Sequence, residues 1–245
     1  MGLFPSDPAP QAGSDNGSNA ANGLARFAAA GLLFAALTIA PALTPFPAAP
    51  PIPAASAASC PDVEVVFARG RGQPPGVGTV GNAFVGALRS RVNSNIGVYP
   101  VRYPADNQVD VGANDMSQHV QSMVNNCPGT RLVLGGYSLG AAVTDVVVAA
   151  PGPLFGFKNP LPPSADGHIA AVALFGNGSQ WVGPITNFNP VYHDRTIDLC
   201  HDTDPICNPA DPNTWAENWP QHAANAYINA GMVDQAADFV AGKLQ

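Results

Sequence analysis

The sequence predicts an α/β protein, a three-layer sandwich with helices on both faces of a central, mostly parallel five-stranded sheet. Two observations predict it. Short apolar runs alternate along the chain with segments whose apolar residues recur at helical spacing, the pattern of strand–helix–strand crossovers. The first of those runs, VEVVFA, lacks the polar alternation of a half-exposed strand and so suits a sheet covered on both sides.

The first 57 residues stand outside this fold. Residues 1–25 are small and polar, without periodicity, and read as disordered. Arg26 then precedes FAAAGLLFAALTIA (27–40), shorter than the roughly 20 residues a bilayer span needs. A Pro/Ala-rich stretch and Ala55-Ser56-Ala57 follow, which together read as a secretory signal cleaved near Ala57. A retained membrane anchor is the alternative. The folded domain is then 58–245, secreted, extracellular or cell-wall associated, with no stable membrane span. A net charge of −7 without runs of like charge gives nucleic acid nothing to bind.

The elements follow in order. Residues 63–68 form the first strand, and 79–92 a helix with Val80, Phe84, Ala87, Leu88 and Val92 on one face. GVYPVRY (97–103) is the second strand, pushed towards an edge by Pro100, which has no amide to donate. A helix over 115–125 leads to the third strand, RLVLGGY (131–137), and then to a helix over 138–150. Residues 169–176 and 196–200 supply the last strands, and a helix over 233–244 carries Val233, Ala237, Val240 and Leu244 on one face.

All four cysteines lie in the exported part, and an even count there argues for two disulfides. Their spacing does not resemble a zinc site, and no His/Asp/Glu cluster has ligand spacing, so neither metal nor cofactor is expected. Three connectivities are open; Cys60–Cys127 with Cys200–Cys207 is the simplest, because the second pair closes a tight local loop.

Function in such sheets collects at the carboxyl ends of the strands. There, Gly-Tyr-Ser-Leu-Gly (136–140) hands a strand to a helix, the context that turns a weak five-residue pattern into a nucleophile elbow at Ser138. The Leu139 amide, at a helix N-terminus, can bind an oxyanion. Chain order then selects partners, because this arrangement runs Ser, acid, His. His119 precedes Ser138, His168 sits at the wrong end of a strand, and His193 and His201 lack a later-strand acid ahead of them. His222 is left as the base. Asp202 and Asp204 share the Cys200–Cys207 loop, and Asp204, before Pro205, has the more rigid backbone.

At these residues the chain resembles the cutinase family. C-x3-D-x2-C (200–207) followed by a histidine near a C-terminal helix, GYSLGAAV (136–143), CPDVEVVFARG (60–70) and RYPA (102–105) are similar to cutinase-like serine esterases secreted by mycobacteria and their relatives. The similarity spans 58–245. It implies a cutinase-like α/β-hydrolase fold, Ser138 as nucleophile, Asp204 as acid and His222 as base. It also implies disulfides Cys60–Cys127 and Cys200–Cys207, and an oxyanion hole from the amides of Leu139 and Arg71. Two departures stand out. Arg71 replaces a small hydroxyl residue of fungal relatives, and Leu139 a common Gln, where only the backbone donor is needed.

The segment 208–221 connects acid to base and is rich in loop formers. Trp215 and Trp219 within it are four apart, so one helical turn puts both on the face that meets an acyl chain; packing on the domain is the competing reading. Trp181 either walls the cleft or packs. A dinucleotide fold is excluded, because Pro75 stands where the third glycine of Gly70-x-Gly72 is needed. The expectation is a monomeric secreted esterase acting on an ester or lipid. The alternative is an exported binding protein that keeps the fold with weak or no catalysis.

Overall fold

The computed structural model describes residues 59–179, 183–208 and 212–245. The expected polar N-terminus, the apolar run at 27–40, the Ala55-Ser56-Ala57 motif and Trp181 lie outside them. Five strands, β1 (Val63–Ala68), β2 (Ile96–Pro100), β3 (Arg131–Tyr137), β4 (Ile169–Phe175) and β5 (Thr196–Leu199), form one sheet in the order β2-β1-β3-β4-β5. Every neighbouring pair is parallel. Six helices accompany them: α1 (Gly78–Arg89), α2 (Val109–Asn126), α3 (Leu139–Ala149), α4 (Trp215–Asn218), α5 (Ala224–Asn229) and α6 (Met232–Lys243).

Alternation along each buried strand divides the core into two faces. Val65 and Phe67 of β1 pack with Val80, Phe84 and Leu88 of α1 and Val240 of α6. Val66 and Ala68 face the other way, towards Met116 of α2 and Val143 of α3. On the first face the rings of Phe67, Phe84 and Phe175 stand 6.0 to 6.4 Å apart. Truncating one such ring costs about 3–5 kcal/mol.

The strand order reverses between β1 and β3. The chain leaves β1 towards β2 on one side, while β3 lies on the other, so a crevice opens at their carboxyl ends. Both disulfides of the simplest pairing are formed. Cys60–Cys127 ties the segment before β1 to the end of α2, and Cys200–Cys207 closes the loop after β5. In the chain-entropy account they contribute about 4 and about 2.5 kcal/mol.

Three elements differ from expectation. Pro100 sits on an edge strand as its chemistry requires, but β2 stops there instead of running to 103. Past it, the Arg102 amide donates to the Asp115 carboxylate at 2.8 Å and so is lost to the ladder. Helix α2 begins six residues early, at Val109, because Asp106 accepts from the Gln108 amide at 2.9 Å and starts the turn. The connection expected as a loop over 208–221 is built, in its described part, from short helical turns at 212–214, 215–218 and 219–222.

One buried polar cluster gives the fold a pH dependence. Asn177 Nδ2, beyond β4, donates to Asp145 of α3 at 2.8 Å and to Asp198 of β5 at 2.9 Å. Burial pushes the Asp145 carboxyl up to about 7; the Asn177 hydrogen bond opposes this and the Asp198 charge adds to it. Its pKa is raised above the unfolded value of about 3.9, so folding favours the protonated acid. The associated stability, about 4 kcal/mol, is fully present below pH ~4 and is lost as pH rises through about 7. Thermal melts from pH 5 to 8 are therefore expected to show a falling Tm in the native chain. In Asp145→Asn the decline should flatten, with the variant the more stable at pH 8. Parallel curves for both proteins would rule Asp145 out as the source.

Candidate active site

Glycine is demanded on both sides of Ser138 by close backbone approach. A Cβ on Gly136 would lie 2.1 Å from the Gly140 carbonyl oxygen, and one on Gly140 would lie 2.0 Å from that of Ala68. Between them Ser138 is held at φ 57°, in the left-handed region that a side chain rarely occupies. Its amide donates to the Phe175 carbonyl at 2.8 Å, which fixes the turn to β4. The hydroxyl thus stands at the crevice where the strand order reverses.

His222 reaches it from far along the chain. His222 Nε2 lies 2.7 Å from Ser138 Oγ, and His222 Nδ1 lies 2.7 Å from Asp204 Oδ2. The Nδ1 hydrogen donates to the carboxylate, so the Nε2 lone pair is free to accept the serine proton. Asp204 is fully buried. Burial alone would raise its pKa, but hydrogen bonds from His222, from the Tyr227 hydroxyl and from the Ile206 amide at 2.8 Å hold it below the ordinary carboxylate range. Asp202, the other candidate acid, is not in this chain of contacts.

Three contributors escaped the sequence reading. The Tyr137 hydroxyl donates to the His222 carbonyl, and its ring stacks on the imidazole with centroids 5.3 Å apart. Tyr227 of α5 binds Asp204 and accepts from the His201 amide at 3.2 Å. Gly176, at φ 59°, ends β4 directly behind the imidazole: a Cβ there would lie 3.0 Å from His222 Cε1 and 2.9 Å from the Tyr227 hydroxyl. The only sequence signal was a glycine at a strand end; the two tyrosines gave none.

The loop after β1 faces the serine from across the crevice. Arg69, buried, donates to the carbonyls of Gln73 and Tyr103 at 2.8 and 2.7 Å, and the Gly70 amide donates to Gln73 Oε1 at 2.9 Å. Among the described residues, no hydrogen bond engages the amides of Arg71 or Leu139. Arg71, Leu139, Ile206 and Trp219 line a cleft of about 550 Å³ around Ser138 and His222. Trp219 is half-exposed, its ring 5.4 Å from that of His222. Trp215, also at the surface, is not among the residues that line this cleft.

Comparison with known proteins identifies the family. A family model described as Cutinase matches residues 59–244. The chain is 71% identical over 218 residues to "Probable carboxylesterase Culp2" of Mycobacterium tuberculosis, covering 89% of this chain and 94% of that protein. It is 52% identical over 193 residues to "Phospholipase Culp4" of the same organism, covering 77% and 81%. Among solved structures, Trichoderma reesei cutinase in complex with a C11Y4 phosphonate inhibitor matches with a TM-score of 0.58 and 32% identity, over 76% of this chain and 78% of that one.

The Tyr227 hydroxyl is the most easily tested of the missed contributors. A carboxylate of depressed pKa adds stability that is present above the unfolded value of about 3.9 and is lost as pH falls through the folded one. Tyr227→Phe removes one donor from Asp204. Expected are a loss of about 1.5–3 kcal/mol at neutral pH and a higher titration midpoint for Asp204, read by carboxyl carbon NMR. An unmoved midpoint would show that the hydroxyl does not hold this charge.

Proposed function

The chain belongs to the cutinase family of carboxylic ester hydrolases, and from that premise we propose that it is a secreted, monomeric serine esterase working through Ser138, His222 and Asp204. The observation that carries the reading is the unbroken hydrogen-bond chain from Ser138 through His222 to Asp204, both links at 2.7 Å. Export is supported by the two disulfides, which persist in oxidising compartments. Among the described residues no helix is long and apolar enough to cross a membrane.

In this mechanism Ser138 Oγ attacks the ester carbonyl while His222 Nε2 takes its proton. The carbonyl oxygen gathers negative charge between the amides of Leu139 and Arg71, and the former benefits from its place at the start of α3. Collapse expels the alcohol, which receives the proton from His222 and leaves an acyl-Ser138 ester. Water, deprotonated by the same imidazole, then releases the acid. Asp204 stays ionised and holds the imidazole in the Nδ1–H tautomer throughout. Proton and acyl transfers are balanced by the chain's own groups.

Ser138→Ala should lower kcat/KM on p-nitrophenyl butyrate by at least about 1,000-fold and abolish fluorophosphonate labelling, with Tm preserved. Labelling retained in that variant would falsify the assignment of the nucleophile and favour a protein that keeps the fold without this chemistry.

Acyl length is set, in this reading, by the apolar wall of Leu139, Ile206 and Trp219. Trp219→Ala should flatten the rise of kcat/KM with chain length in a p-nitrophenyl ester series, where each buried methylene is worth ~0.8 kcal/mol. Trp215→Ala should leave the slope of that series as it is. Equal slopes for native chain and Trp219→Ala would remove this indole from acyl binding.

A further inference from the structure

We infer that the Arg71 side chain selects esters that carry a carboxylate or phosphate group close to the scissile bond, an inference that rests on the hydrolase reading above. Arg71 lines the cleft beside Ser138 and His222, and it is exposed. No hydrogen bond, ion pair or aromatic contact engages its guanidinium among the described residues. The remaining described arginines are committed. Arg69, Arg89, Arg131 and Arg195 donate to carbonyls, Arg91 pairs with Asp234 and Asp238, and Arg102 lies over the Tyr99 ring.

Among the described residues no acid pairs with it. The Gly72 amide donates to the Ala105 carbonyl at 2.8 Å, which brings the 105–108 loop beside Arg71. Asp106 in that loop accepts from the amides of Asn107 and Gln108 instead. Asp204 lies behind His222 and is fully buried. Arg71 is therefore the one permanent cation on a cleft lined otherwise by uncharged surface and His222. The chain as a whole carries −7, so its general field does not attract anions. An acidic substrate must be held locally. A guanidinium does this with two parallel hydrogen bonds to a carboxylate or phosphate. Arg69 and Gln73 pin the loop backbone while the Arg71 side chain stays free to swing, so one residue presents its amide to the oxyanion and its charge to a group nearby. A neutral ester gains nothing from that charge.

The test compares esters of matched acyl chain that differ by one anionic group. One arm sets p-nitrophenyl hemiglutarate against p-nitrophenyl valerate. The other sets dihexanoylphosphatidic acid against dihexanoylglycerol, all as monomers with the full chain. The anionic-to-neutral ratio of kcat/KM is measured for the native chain, Arg71→Gln and Arg71→Lys. Using ratios cancels any effect of the substitution on the oxyanion amide. The ratio is expected to fall about tenfold in Arg71→Gln, mainly through KM, and to be partly kept in Arg71→Lys. It should also shrink in the native chain as salt is raised. A fall confined to one arm supports the inference and identifies the carboxylate or the phosphate as the group read. A ratio unchanged within about twofold in both arms overturns it, while hydrolysis of the neutral esters keeps the hydrolase reading intact. If the native chain cleaves none of the four esters, the hydrolase reading fails and this inference fails with it.

Discussion

Gly140, at the start of α3, lies so close to the end of β1 that a Cβ would come within 2.0 Å of the Ala68 carbonyl oxygen. The site depends on that contact. It presses the first turn of α3 onto the strand that carries the Arg69–Gln73 loop, and the Leu139 and Arg71 amides thereby end on opposite sides of one crevice. It also leaves the chain between β3 and α3 no route except through the left-handed conformation at Ser138. A side chain at either flanking glycine would push helix from strand by more than an ångström. A packed core does not absorb such a shift. Gly70 extends the same logic, since a Cβ there would lie 2.7 Å from the Tyr137 ring.

The two buried charges around this contact are compensated in different ways. Asp204 has no lysine or arginine beside it; its partners are an imidazole, a phenol and an amide. All three donate without placing a permanent cation next to the imidazole, so in the proposed mechanism a charge on His222 finds an anion waiting. Arg69 has no acid beside it either. It spends its donors on carbonyls of Gln73, Val101 and Tyr103 and lies over the Tyr103 ring, 5.0 Å from the centroid. Its charge is satisfied by backbone it simultaneously holds in place, whereas burial without such partners would cost several kcal/mol. The oxyanion loop is thus braced from behind by a cation that faces away from the substrate.

How much of this was legible follows from the range over which each determinant acts. The strands were readable because a doubly covered sheet needs continuous apolar runs, and VEVVFA and IAAVALF are such runs. The elbow was readable because its glycines and serine fall within five residues, although the demand at Gly140 comes from Ala68 across the fold. Chain order among five histidines singled out His222, which is the one found against Ser138. What escaped depends on contacts across the fold. Tyr227 meets Asp204 from 23 residues away, and Gly176 is required only because the imidazole of a distant helical turn lies against it. The start of α2 was missed although Val109, Ala113, Met116 and Val120 stand at helical spacing, because the Asp106 turn that initiates the helix was not weighed. The two tryptophans were read as a pair because four-residue spacing suits one continuous helix. In the structure only Trp219 of the two lines the cleft.

The two halves of the site differ in how closely they are determined, and this bears on how the fold can change substrates. Behind the imidazole there is no spare room: Gly176, Tyr137, Tyr227 and Asp204 fill the space, and any enlargement moves the base. In front of it the cleft is open, with Trp219 half-exposed and Arg71 exposed. In the proposed mechanism, substitutions on that wall alter what is bound without displacing the hydrogen-bond chain, since Arg71 would offer the oxyanion its backbone and the substrate its side chain. The backbone role is the same for almost any residue; the side chain is free to vary in charge and size. On the proposed reading, position 71 is therefore where this scaffold would exchange one class of ester for another at least cost to its chemistry.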